Sequence, residues 1–146
     1  LDRRGRKNGK GFYEYPAKPA KKFLWPGLKD LYPQKPASEV DVNVLKQRFL
    51  VTIALEAART VEEGIVTDPR EADVGSILGF GFAPYTGGTL SYIDGMGVQR
   101  FVELAEKLAA DYGDHFKPTP LLKEMADKGE TFYGRFDPYG EGREAA

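Results

Sequence analysis

Asp41-Val42-Asn43-Val44-Leu45-Lys46-Gln47-Arg48-Phe49-Leu50-Val51-Thr52-Ile53-Ala54-Leu55-Glu56-Ala57-Ala58-Arg59-Thr60-Val61-Glu62-Glu63-Gly64 is the stretch that decides the fold class. Val42, Leu45, Phe49, Leu50, Ile53, Ala54, Ala57 and Val61 recur at spacings of three and four, the period of a helical apolar stripe. Asp41 or Ser38 supplies an oxygen for the first-turn amides, and Gly64 supplies the backbone freedom that ends a helix near Glu63. From Phe49 to Ala58 the apolar surface wraps most of the way round, which predicts that this helix is the buried centre.

Outward from it, the pattern stays helical. Asp68-Pro69-Arg70-Glu71 reads as a helix start, with Asp68 as cap, Pro69 in the first turn and Glu71 at the capping-box position. Val74, Ile77 and Leu78 predict one buried face for that short helix, ended by Gly79. A glycine-rich turn, Gly79 to Gly88, leads to a short helix through Leu90 and Ile93, closed by Gly95. Val98, Phe101, Val102, Ala105, Leu108, Ala109 and Tyr112 form the cleanest stripe, with Glu103 and Lys107 paired outside it and Gly113 as the stop. Thr119-Pro120 starts a last helix through Leu121, Leu122 and Met125, stopped at Gly129. No segment sustains the alternation of a half-buried strand, so the expected class is all-α, a helical bundle.

Residues 1–37 differ in kind. Five of the ten prolines lie here, Pro16, Pro19, Pro26, Pro33 and Pro36, a density that rules out a long helix and predicts an extended Pro-rich linking arm. Its rings, Phe12, Tyr13, Tyr15, Phe23, Trp25 and Tyr32, predict that it lies against something. The expected division is therefore 1–37 as arm and 38–146 as helical domain. Lys128-Gly129-Glu130-Thr131-Phe132-Tyr133 echoes Asn8-Gly9-Lys10-Gly11-Phe12-Tyr13, each with a glycine ahead of a Phe-Tyr pair.

Composition narrows the function. The 146 residues are 41% hydrophobic and 29% charged with net charge −1, which offers no overall positive field for nucleic acid. There is no cysteine, excluding disulfides and thiolate metal sites, and no apolar run reaches the roughly 20 residues of a membrane span. Gly5-Arg6-Lys7-Asn8-Gly9-Lys10-Gly11 is not a Walker A loop: Gly11 stands where Ser or Thr is needed and Arg4 where the first glycine belongs. Gly79 to Gly88 is no dinucleotide fingerprint; its glycines allow close passage of a neighbouring helix, with a ligand surface of Phe80, Phe82 and Tyr85 as the second reading. His115, the only histidine, has Asp114 adjacent in sequence, which seldom orients a general base, so it reads as a surface or interface residue. Glu56, set in the apolar centre of the long helix, reads as a structural ion pair with Arg48 or Arg100. No spacing suggests a metal site, and no Ser-His-Asp arrangement is present.

Several stretches together resemble the 3-hydroxyacyl-CoA dehydrogenase family. They are Gly5 through Tyr15, Leu55-Glu56-Ala57-Ala58-Arg59 leading to Glu62-Glu63-Gly64-Ile65-Val66, Asp68 through Asp73, Gly79 through Gly88, and Tyr92-Ile93-Asp94. The resemblance implies a fold like the C-terminal domain of 6-phosphogluconate dehydrogenase and a place in a multifunctional fatty-acid oxidation protein, in which the helical unit occurs twice. Leu1 to about Tyr15 would then be the tail of the first unit, and Ser38 onward the second. It implies that NAD and the catalytic His-Glu pair belong to an N-terminal Rossmann domain outside this sequence, so that the chain is a fragment with no catalytic residue of its own. Its start at Leu1, without an initiator Met or a signal peptide's apolar centre, is read the same way. The family's substrate-contacting Asn falls at Gln47 of Gln47-Arg48-Phe49-Leu50, a departure that fits a second unit. Substrate-adjacent residues implied for acyl-CoA are Leu78, Phe80, Phe82 and Tyr85. The implied partners are the preceding helical unit and the Rossmann domain, and the implied location is the cytoplasm of a bacterium or an organelle matrix. Two alternatives remain open: a structural or homodimerising module, and an acyl-CoA-binding module without catalysis.

Overall fold

The computed structural model describes residues 1–137, which fall into two compact units, Leu1–Asp41 and the described residues from Val42 onward. In the first, two-residue strands β1 (Tyr13–Glu14) and β2 (Phe23–Leu24) pair antiparallel, followed by one helical turn, α1 (Leu28–Leu31). This segment is therefore not simply extended. Arg3 ties it together by donating to Glu14 Oε1 at 2.6 Å and to the Gly11 carbonyl at 2.9 Å while its guanidinium lies 4.0 Å over the Trp25 ring. Prolines exclude long regular elements but leave room for a short hairpin at Tyr13 and Phe23.

The second unit is helical: α2 (Val42–Glu62), α3 (Pro69–Phe80), α4 (Thr89–Met96), α5 (Val98–Tyr112), α6 (Pro120–Lys128) and α7 (Phe132–Arg135). Single 3-10 turns at Pro84–Thr86 and Asp114–Phe116 link α3 to α4 and α5 to α6. Val51, Ala54, Leu55, Ala58 and Val61 of α2 enter one core with Leu90 and Ile93 of α4, Phe101, Ala105 and Leu108 of α5, Leu122 and Met125 of α6, and Phe132 of α7. The α5 stripe is seated as its spacing predicts, except that Tyr112 lies at the surface. Glu103 accepts from Gln99 Nε2 at 3.0 Å, one turn back on α5.

Two expectations about burial are corrected. The α2 helix is central only along its later turns; Val42 and Phe49 are exposed. At 21 residues it is about 30 Å long, whereas α4, with 8 residues, covers about 12 Å, and Leu45, Arg48 and Phe49 of the earlier turns border a groove with His115 and Phe116 of the α5–α6 turn. In α3, Val74 and Leu78 are exposed, and Pro69, Asp73 and Ser76 are buried instead. That helix has a polar row at three-and-four spacing as well as an apolar one, and the polar row faces α4.

Helix ends match the sequence more closely. Asp68 caps α3 by accepting from Arg70 N at 3.0 Å, and Arg70 also forks onto its carboxylate at 2.7–3.2 Å. Thr119 caps α6 through Leu122 N. The stop of α3 comes at Gly81, with φ 75°, not Gly79, and that of α4 at Gly97, not Gly95.

Candidate functional site

Helix α4 begins after Gly87-Gly88, which carry no side chain to accept its first amides. The acceptor comes from α3. Asp73, 2% exposed, takes the Leu90 amide at 2.7 Å, the Ser91 amide at 3.0 Å and the Ser91 hydroxyl at 2.6 Å. Tyr133 of α7 donates its phenol to the same carboxylate at 2.8 Å. A negative charge at a helix N-terminus, satisfied by four hydrogen-bond donors, explains why α3 turns its polar row inward. Gly88 has to be glycine: its φ is 123°, and a Cβ there would lie 2.4 Å from Asp73 Cβ.

The same device recurs twice. Asp94 of α4 accepts from the Phe132 and Tyr133 amides at 2.9 and 3.1 Å, capping α7. Glu62 of α2 accepts from Leu121 N at 2.9 Å, joining Thr119 at the start of α6. Burial raises the Asp94 carboxyl above the ordinary aspartate value; the two amides oppose this, and the Asp73 charge adds to it. Burial likewise raises the Tyr133 phenol, which keeps it a donor to Asp73.

With its polar row committed to α4, α3 leaves its apolar row outside. Leu78 is 81% exposed, Phe80 63%, and Tyr85, in the 3-10 turn that follows, 86%. Phe82 is separated from them: it is 2% exposed and meets the Tyr92 ring edge-on at 6.2 Å. Of the four residues expected beside substrate, three are thus exposed: Leu78 and Phe80 in the last turn of α3, on different sides of it, with Phe80 bordering a cavity with Ala72 and Ser76, and Tyr85 in the turn beyond, while Phe82 packs inward. The turn is held internally by Thr86 Oγ1 donating to the Ala83 carbonyl at 2.7 Å.

The other sequence candidates resolve individually. Glu56 is exposed and pairs with Arg59, not with Arg48 or Arg100. His115 is exposed with its ring against Phe116, while Asp114 engages Lys117 at 2.9 Å. The Gly5 to Gly11 turn closes on itself, Gly5 and Lys10 exchanging backbone hydrogen bonds at 2.7 and 3.1 Å, which occupies amides a phosphate would need. At Gly88 the space beside the backbone is filled by the Asp73 carboxylate, a poor neighbour for a pyrophosphate. Neither glycine-rich segment therefore offers a cradle for a dinucleotide's phosphates. Among the described residues no group of three His, Asp or Glu could hold a metal ion, and no helix is long and apolar enough to cross a membrane.

Asp73, Asp94 and Glu62 stand in the stretches that carry the family resemblance, but the sequence does not reveal them as remote caps. The signal was an absence: α4 starts without a local cap, so a remote acceptor is required.

A helical domain with this order of elements matches, over residues 45–135, the family described as 3-hydroxyacyl-CoA dehydrogenase, C-terminal domain, and the chain belongs to that family. Among individual proteins it is similar to the fatty acid oxidation complex subunit alpha of Shewanella loihica, 41% identical over 132 residues, and of Shewanella amazonensis, 44% identical over 134. Each alignment covers 90% of this chain and 19% of the relative, so the chain spans about a fifth of the length of the curated relatives it matches.

Proposed function

We propose that this chain serves as the second helical unit of an NAD-dependent 3-hydroxyacyl-CoA dehydrogenase of fatty-acid β-oxidation, in the bacterial cytoplasm. In the intact protein the reaction is the oxidation of a 3-hydroxyacyl-CoA to the 3-oxoacyl-CoA. NAD and the proton-accepting histidine belong to another domain, and this unit contributes a packing surface against the preceding helical unit and the Rossmann domain. The observation that carries the reading is the exposure of Leu78, Phe80 and Tyr85 around the end of α3, which Asp73 ties to α4 and Phe82 to the Tyr92 ring. Large side chains kept in place at the surface suit a fixed neighbour better than a mobile loop would. Their edge is also the part of the unit proposed to border the acyl-CoA.

The test is a calorimetric titration of the chain with acetoacetyl-CoA, repeated with NAD, alongside an assay of NADH oxidation. The expected result is no heat of binding from either ligand and no turnover. Turnover of NADH by the chain alone would overturn the assignment of chemistry to another domain. Saturable acetoacetyl-CoA binding lost in Leu78→Ser would replace the packing role with an acyl-CoA-binding one.

The same exposed residues favour a second reading, a homodimer through α3. It predicts a mass that rises with concentration and returns to that of one chain in Leu78→Ser.

A further inference from the structure

A second surface runs along the earlier turns of α2 and the α5–α6 turn. Leu45, Arg48, Phe49 and Ile53 of α2 and His115 of the α5–α6 turn line a groove of about 280 Å³. Among the described residues no carboxylate lines it. Phe49 lies on its rim, 71% exposed, where a side chain of that size is otherwise costly to leave in water. At its edge four side chains stack in sequence. The Arg48 guanidinium sits 4.1 Å over Tyr112, Tyr112 meets Phe116 edge-on at 6.3 Å, and Phe116 lies 4.2 Å from the His115 ring. Stacking fixes the plane of the guanidinium but satisfies none of its N–H groups. The Arg48 Nε is shut off from solvent with no hydrogen-bond partner among the described residues. Among the described residues the Tyr112 ring is the partner found for this guanidinium, so its terminal N–H groups, unlike the enclosed Nε, are the ones an oxyanion in the groove would meet.

We propose that this groove binds a carboxylate carried on an aliphatic body, the carboxylate on Arg48 with His115 beside it and the tail along Leu45, Phe49 and Ile53. The proposal does not rest on the function proposed for the chain, although Ile53 also borders the cavity beside α3. Its recognition needs both parts: the cation selects the charge, and the apolar wall selects the tail.

The probe is sodium octanoate, added to the 146-residue chain while the imidazole resonances of His115, the sole histidine, are followed by NMR. Octylammonium and inorganic phosphate are the controls. Octanoate is expected to shift His115 saturably, octylammonium to leave it unmoved, and phosphate to act at least about tenfold more weakly, the equivalent of 1.4 kcal/mol. Arg48→Met should weaken octanoate at least tenfold. Phe49→Ala, at an exposed position that does not threaten the fold, should weaken it about threefold. Equal response to octylammonium, phosphate as effective as octanoate, unchanged affinity in both variants, or no shift of His115 up to 20-fold excess over about 1 mM octanoate would each overturn the proposal.

Discussion

The Tyr133 phenol donates to Asp73 across 60 positions of sequence, and through this contact α7 is fastened to the buried carboxylate that starts α4. Tyr133→Phe removes one of four donors and leaves the rest, so it should lower stability by about 1 kcal/mol in urea unfolding. Asp73→Ala strands the Leu90 and Ser91 amides and the Tyr133 hydroxyl together. Its loss should reach about 3 kcal/mol or more, and equal losses in the two variants would show that the carboxylate is not the hub.

Glycines of the same region should respond with opposite signs. Gly88→Ala meets Asp73 and demands a side chain at φ 123°, and should destabilise by about 2–4 kcal/mol. Gly95, inside α4 with open space around its hypothetical Cβ, should accept alanine with a gain of up to about 1 kcal/mol. Thermal melting of the two variants separates the cases directly.

Asp94 gives a pH dependence opposite to that of an ordinary capping carboxylate. Burial raises its folded-state value above the usual 3.8, so the folded chain holds this proton more tightly than the unfolded chain. Stability from this group therefore falls as pH rises from about 3.8 through the raised value. Comparing urea midpoints of the wild type and Asp94→Asn from pH 3.5 to 7 isolates it from groups such as Asp68, which Arg70 holds low. The wild type should lose ground relative to the variant as pH increases; a constant gap would disprove the shift.

Phe132→Ala should be among the most damaging core changes, at about 3–5 kcal/mol, because its ring is fully buried where α7 closes the core. Leu78→Ser should leave the unfolding midpoint within about 0.5 kcal/mol of wild type, since that side chain rests on nothing inside the unit. A large stability loss in Leu78→Ser would mean that it is packed, and would remove it from the proposed contact surface.

Local signals were the legible ones. The α5 helix was visible as one stripe from Val98 to Tyr112, and the Asp68 and Thr119 caps were visible because a cap acts within three residues of itself. The glycine-rich connection before α4 is also legible, although α3 extends through Phe80 and only Gly81 to Gly88 connect the two helices. What could not be read was orientation. Val74 and Leu78 have the spacing of a buried face, and nothing within α3 reveals that Asp73 will be needed 17 positions later at Leu90. Closeness in sequence groups Phe82 with Phe80, yet Gly81 lies between them in the left-handed region, and one ring is exposed while the other is buried. The hairpin at Tyr13 and Phe23 was missed because two residues are too few for any period to show.

Capping from a distance also decides what amide exchange will measure here. First-turn amides usually exchange by fraying, which needs only the helix end to open. The acceptors of Leu90, Phe132 and Leu121 lie 17, 38 and 59 residues away, on other helices. Those hydrogens can be released only when whole helices separate, so these termini report the opening of the domain, and their protection should approach that of its interior.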